Sequence, residues 1–498
     1  MKSQPMVKTP FRLLLLCLLI CPAVRAQTTD FSPATEDTVL LTRLSGQYQQ
    51  HYKEELDKLP SKNKKDFIEE YSERWDNVKE KFDKREIYTS APAQQYLDAL
   101  VAEIERGNPS LRDHPFHCYF SRTGIPNAAY IGEGIILFNM GLFQRLNNES
   151  EAAFVLCHEI GHFLLHHMEN SINKYVTTIN SEEVQAQLHK IKGSEYHKNE
   201  QLEKLVKGLA FNSRRHSRDH ESEADSMGVE LMRNTRFSLS GALTTLALLN
   251  VIDVDTLNTA ACLQRWFNSP DYPFKKRWIA REEGLLGGHA HLADDAAEDS
   301  LKTHPDCPSR ILALGPVINR GLSAASGGGV GNGTRLGGGE ADAGGRVAGG
   351  EAGSGTRTTG GAKFVVDSVK FVSLQHIFRY EVIEYAYLSD DYTESLFYTL
   401  ELLQQHPSDA YLVAQVGRLF NGIYAAQKGH TLSKVTDLPA PEYPSNYNLL
   451  LQFVQNLYLE ELAAINYHYL DVYHPKLDHY APFRTAYDQS LRNMQSNK

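Results

Sequence analysis

Apolar residues recur at helical spacing from Thr38 to Phe82, first as Leu41, Leu44, Tyr48, Tyr52 and Leu56, then as Phe67, Tyr71, Trp75, Val78 and Phe82. This pattern predicts two helices parted near Pro60. Ala93–Ile104 predicts a third. Phe116–Phe120 and Ala128–Phe138 predict strands, the second bracketed by Asn127 and Gly141 and carrying Tyr130, Ile131, Ile135, Ile136 and Leu137. Phe154–His167 is apolar around most of its circumference, which predicts a helix buried in a domain core. Glu169–Phe211 is long and polar, with helical stretches around Tyr175–Lys192 and Glu200–Phe211. Helices around Met227–Met232, Ala242–Val251 and Thr256–Phe267 follow, then a loop rich in proline and tryptophan.

Beyond Gly327 the pattern stops. Sixteen of the 35 residues in Gly327–Gly361 are glycine, and a chain of that composition cannot bury enough apolar surface to fold. It predicts a flexible linker with a root-mean-square span of roughly 30–35 Å. Helical periodicity resumes at Phe378–Leu388, Tyr392–Leu403 and Ala410–Tyr424, broken at Asp390-Asp391 and His406-Pro407, and continues through Asn446–Tyr467 and Ala481–Met494. The fold class expected is α+β, mostly α, with a small β-sheet around a buried helix and an all-α C-terminal unit. The tail's many tyrosines read as core rather than as a binding face.

The first residues change the compartment. Lys2, Lys8 and Arg12 precede the short apolar run Leu13–Ile20, and Val24-Arg25-Ala26 ends before Gln27. This reads as a secretory signal peptide cleaved near Ala26 and is short for a membrane span. Leu18-Leu19-Ile20-Cys21 offers a lipoprotein alternative, ranked second because Ile20 is large where a small residue is wanted. No later segment is apolar enough to span a membrane, so the expected protein is exported, periplasmic or secreted, with at most peripheral association with the envelope. The domains expected are a signal peptide (1–26), an N-terminal helical segment (27–87), a catalytic domain (88–322), the linker (323–363) and the helical tail (364–498). A net charge of −10 argues against nucleic acid as a partner. Cys118, Cys157, Cys262 and Cys307 remain after cleavage and allow three pairings; Cys157 reads as a small buried apolar residue.

The candidate chemistry lies in the buried helix. His158-Glu159-Ile160-Gly161-His162 is an HExxH motif, and its histidines, four apart, share one helical face. Two histidines and a glutamate are costly to bury in an apolar helix without partners. One zinc ion per chain supplies the partner, with Glu159 one step round the helix, able to reach a water. A catalytic zinc takes three protein ligands. The third candidate is Glu221, with Asp225 four residues later placed to accept a ring N–H from a ligand histidine. Glu223 points away and reads as solvated. Taken alone, this acidic run is an ordinary helix start.

These motifs together resemble the M48 gluzincin zinc metallopeptidases, and in particular their BepA-like periplasmic branch. The resemblance rests on His158–His162, on Glu221-x-x-Ala224-Asp225, on Pro126-Asn127-Ala128 with Gly132–Phe138 and Gly141-Leu142, on Glu149–Leu156 and on Thr303-His304-Pro305 with Arg310. His167 falls where the family often has a histidine. The spacing of 59 positions from His162 to Glu221 argues against thermolysin-like enzymes and suits this family. The resemblance implies that the strand beside the metal helix, with Ala128, Tyr130, Ile131 and Gly132, binds substrate backbone as an added strand. It implies that His304 steadies the oxyanion, the alternative being a merely exposed loop histidine. Arg310 either orients active-site groups or closes a structural ion pair; the ion pair is favoured. Ser395-Leu396 and Pro407 resemble a tetratricopeptide hairpin, although Ile383 and Leu402 replace its small residues.

The function expected is zinc-dependent endopeptidase activity on unfolded or misassembled envelope proteins gathered by the tail, with Glu159 as general base. The rival from another class is a chaperone or assembly factor whose tail binds clients. Its metal site is structural, or is kept shut by Thr38–Phe82 or Glu169–Phe211. An intact Glu159 argues against a purely structural metal.

Overall fold

The computed structural model describes residues 31–193, 217–252, 257–280, 307–326, 361–441 and 443–496. The expected signal peptide, the Glu200–Phe211 helix, His304 and nearly all of the glycine-rich stretch lie outside them. Among the described residues no helix is long and apolar enough to cross a membrane.

Three strands make the sheet: β1 (His117–Ser121), β2 (Ala128–Gly132) and β3 (Ile135–Asn139). Their order is β1-β3-β2, with β1 parallel and β2 antiparallel to β3. Ala128–Phe138 is therefore a hairpin and not the single strand that its apolar run predicts. The chain reverses at Glu133-Gly134, where φ is +54° and +73°. Glycine adopts that region freely. Glu133 does so with its carboxylate held by Arg74 (2.5 Å) and by His51 (2.9 Å). β3 is central and buried along Ile135–Phe138, and β2 is left as an edge strand.

The two faces of the sheet meet different partners. Ile131, Ile135 and Leu137 pack against Leu41, Tyr48, Trp75, Val78 and Phe82. These come from the helices Thr38–Lys58 and Lys64–Asp83, which part at Leu59–Asn63, close to Pro60. The N-terminal pair thus covers the outer face of the sheet. Tyr130, Ile136 and Phe138 face the main core, with the helices Ala91–Gly107 and Glu149–Leu164. The latter carries HExxH; Asn148 caps it by accepting the Glu151 N–H at 3.2 Å. The stretch Tyr175–Lys192 is split between the helices His167–Ile179 and Glu182–Gly193. Ser181 starts the second by accepting the Val184 N–H at 3.3 Å. Cys118, Cys157, Cys262 and Cys307 are all buried.

Six helices form the C-terminal unit: Ser368–Leu388, Tyr392–Gln405, Ala410–Lys428, Ser445–Asn456, Leu459–Leu477 and Ala481–Ser496. Asn446–Tyr467 spans two helices and not one, because the chain breaks at Leu457-Tyr458, where the Glu461 side chain accepts the Tyr458 N–H at 3.1 Å. Tyr380, Tyr411, Tyr424 and Tyr469 are core residues. Leu257, Cys262, Leu263, Phe267 and Trp278 join this core from before the glycine-rich stretch. Ser368–Leu388 serves both cores, giving Phe371, Leu374, Phe378 and Val382 to the first and Tyr380 and Ile383 to the second.

Two polar anchors fix this unit to the HExxH domain. Glu149 is fully buried in the first turn of the HExxH helix. Its carboxylate accepts the N–H groups of Val365 (2.5 Å), Val366 (2.7 Å) and Asp367 (2.7 Å) and the Tyr96 hydroxyl (3.0 Å). Beside it, Ala362 pairs with Phe237 as an isolated bridge, and Ser150 donates to the Ala362 and Lys363 carbonyls. The last residues of the glycine-rich stretch are therefore docked against the domain. In the second anchor Arg122, 1 % exposed, pairs with Glu381 at 2.8 Å and with Glu36.

Glu394 supplies a pH test of this unit. Burial, helped by neighbouring Asp391, pushes its carboxyl up to about 7, while the Tyr398 hydroxyl donates to it at 2.9 Å. A pKa raised in the folded state adds stability below the unfolded value, and that stability is lost as pH rises through the folded value. Glu394→Gln, uncharged throughout, should therefore exceed wild type at pH 8 by on the order of 2 kcal/mol and match it near pH 4. Urea midpoints at the two pH values check this.

Candidate active site

The site forms where the HExxH helix crosses the helix at 217–233. Both helices carry a glycine at the crossing. A Cβ on Gly161 would lie 3.1 Å from the Ala224 carbonyl, and one on Gly228 would lie 3.2 Å from the His158 nitrogen. Removing both side chains lets the backbones approach and brings Glu221 over the two histidines. His158 Nε2 and His162 Nε2 lie 3.1 Å apart. The Glu221 carboxylate places Oε2 3.5 Å from the first and Oε1 3.5 Å from the second. The three donor groups all fall within 4.8 Å of one another. Ligands at 2.0–2.1 Å around a tetrahedral zinc are spaced roughly 3.3 Å apart, so this donor set fits zinc.

Neighbouring charges hold these donor groups. His158 Nδ1 lies 3.0 Å from Asp225 Oδ1. Arg310 grips Asp225 with two donors at 2.7 Å each and places Nη1 3.0 Å from Glu221 Oε2. Arg310 thus closes a buried ion pair with Asp225, whose other contact is His158, and also reaches Glu221 itself. Burial opposes a charged His158, but Asp225 and Glu221 outweigh it and push the ring up to about 10. Burial likewise opposes ionised Glu221, yet His158, His162 and Arg310 hold it well below the usual carboxylate range.

Glu159 is buried beside the histidines, with Oε1 4.0 Å from His158 Nε2. Its Oε2 accepts the backbone N–H of Tyr130 at 2.9 Å, on the side of β2 away from β3. Burial raises its pKa. Tyr130 is held in turn, its hydroxyl donating to Glu169 at 2.9 Å.

These groups line a cleft of about 500 Å³. Of the residues expected from the sequence, it brings together Ala128, Tyr130, His158, Glu159, His162, Glu221 and Arg310, with Asp225 behind them. Ile131 and Gly132 do not reach it. Ile131 is buried against the N-terminal helices, and Gly132 abuts the Arg74 side chain. The usable edge of β2 is therefore its first half. The apolar wall of Leu142, Phe154, Val155 and Leu249, with Thr245, was not read as part of a site. Thr245 and Leu249 carry no signal of it in the sequence, since both sit in an ordinary apolar helix.

One neighbour of the donor groups differs from expectation. Glu223 is not merely solvated: it lies 3.1 Å from His167 Nε2. His167 Nδ1 in turn meets His162 Nδ1 at 2.9 Å, and its ring stacks on His220 at 4.1 Å. Burial pulls His167 down to about 4.

No curated protein matches the chain. Residues 92–317 match the model of peptidase family M48. The matched span carries His158, Glu159, His162, Glu221, Asp225 and Arg310, and it supports an M48 metallopeptidase domain in this chain.

Proposed function

We propose that this protein is an exported zinc endopeptidase that hydrolyses unfolded or misassembled envelope proteins. The observation carrying the reading is the convergence of His158, His162 and Glu221, with Glu159 beside them, in a cleft bordered by an edge strand. When bound, zinc acidifies water and polarises a carbonyl. His158, His162 and Glu221 would hold it. Glu159 takes the proton of the attacking water and passes it to the leaving amine. A substrate strand runs along the edge of β2 at Ala128–Tyr130, taking the Tyr130 N–H over from Glu159 as it binds. Asp225 and Arg310 keep the ligand groups in place, and His304, on the strength of the resemblance, contributes to the oxyanion site. The C-terminal helices, read as tetratricopeptide-like, gather the clients.

The test is degradation of unfolded casein by the purified protein, with bound zinc counted. About one zinc per chain, cleavage, loss of cleavage on chelation and return on adding zinc are expected. A protein that binds no zinc and cleaves nothing sinks the proposal. A second reading, a latent enzyme, has one observation in its favour: the Tyr130 N–H on the open edge is already taken by Glu159. It predicts zinc at the same stoichiometry and no cleavage.

A further inference from the structure

The zinc reading above leaves His167 and Glu223 without a task. We infer that these two residues form a relay that fixes the tautomer and orientation of His162. His162 can offer Nε2 to a metal only if its ring proton sits on Nδ1. That Nδ1 faces His167 Nδ1 at 2.9 Å, so one of the two atoms donates and the other accepts. His167 Nε2 lies 3.1 Å from Glu223 Oε2, and a carboxylate oxygen accepts. The carboxylate therefore sets the direction of the whole chain. His167 carries its proton on Nε2 and donates it to Glu223. Its Nδ1 is then an acceptor, His162 Nδ1–H donates to it, and the lone pair of His162 Nε2 is left facing His158 and Glu221.

The fold supports the relay at each step. The chain leaves the HExxH helix through His166 in the left-handed region, with φ +54°, and this turn carries the next residue back under His162. His167 is 4 % exposed and flanked by the His220 ring, so it is held in place. Glu221, Glu223 and Asp225 stand on one helix at 217–233. Glu221 faces the metal position, Asp225 faces His158 directly, and Glu223 acts on His162 through His167. His167 and Glu223 are positioning residues, since neither faces the metal position.

The test measures zinc affinity by competition with a chelator, at fixed pH, on the full chain. His167→Ala should weaken binding roughly 10–100-fold and Glu223→Gln roughly tenfold, as loss of an outer hydrogen-bond partner does. In His167→Asn the amide oxygen stands near the position of Nδ1 and should restore most of the affinity. In that background Glu223→Gln should cost nothing further, because its only route to the metal ligand is gone. A residue that merely supports the fold would not show this dependence on the second position. The inference is overturned if His167→Ala binds zinc as wild type does, or if Glu223→Gln costs the same in both backgrounds. Should His167→Ala fail to fold, Glu223→Gln and His167→Asn decide the matter, since Glu223 is largely exposed. Wild type that binds no zinc removes the zinc reading and the relay together, whereas zinc binding that ignores both residues removes the relay alone.

Discussion

Glu159→Gln should lower kcat/KM on unfolded casein by roughly 10²–10⁴-fold, the usual contribution of a positioned general base, while leaving bound zinc unchanged. The amide has nearly the volume of the acid and can still accept the Tyr130 N–H, so the fold and the edge strand stay as they are. It cannot accept a proton from water. Glu159 is not among the converging donors His158, His162 and Glu221, so its change leaves metal affinity alone. Parallel zinc counts and steady-state rates check both halves. A variant that cleaves as fast as wild type would assign the base elsewhere, and one that loses zinc would make Glu159 a ligand.

Glu149→Ala should destabilise the protein by about 4 kcal/mol or more, a large value for one substitution. Four donors converge on this buried carboxylate, Tyr96 from the core and three backbone N–H groups from a partly buried stretch, and a buried donor left unpaired costs roughly 1–3 kcal/mol. Glu149→Gln should fall between, at about 2 kcal/mol, because its NH₂ group confronts donors where an oxygen stood. Because three of the four donors belong to residues 365–367, the loss should appear as early release of Ser368–Leu388, seen by hydrogen exchange. Substitutions costing less than about 1 kcal/mol would mean that the C-terminal unit is held by its apolar contacts alone.

The chemical centre was the most legible part of the sequence. His158 and His162, like Glu221 and Asp225, declare themselves through four-residue spacing, and one helix face suffices to understand them. Arg310 was legible as an ion-pairing residue, but not as a partner of both Glu221 and Asp225, since that depends on where a distant helix packs. The Glu223–His167 contact crosses between two helices and has no periodic signature. In Ala128–Phe138 the apolar run hid the turn, although Gly132-Glu133-Gly134 held the signal, two glycines around the reversal. The break at Leu457-Tyr458 has neither glycine nor proline and was not readable. Glu149 looked like an ordinary acidic first turn; only the fold shows that three of its partners lie more than 200 residues away.

The docking of Gly361–Lys363 bears on how this chain can vary over evolutionary time. The helix Cys307–Ser326 carries Arg310 into the site, and the chain is seated again at Ala362. The glycine-rich stretch between them, expected from its composition to be a flexible linker, joins two ends already fixed by other contacts. Closure entropy grows only with the logarithm of loop length, so doubling that stretch would cost about 0.6 kcal/mol. Its length and sequence are therefore nearly free of selection for stability. The stretch is a natural place for insertions, and a reporter or another module could be spliced there while the HExxH site keeps its geometry.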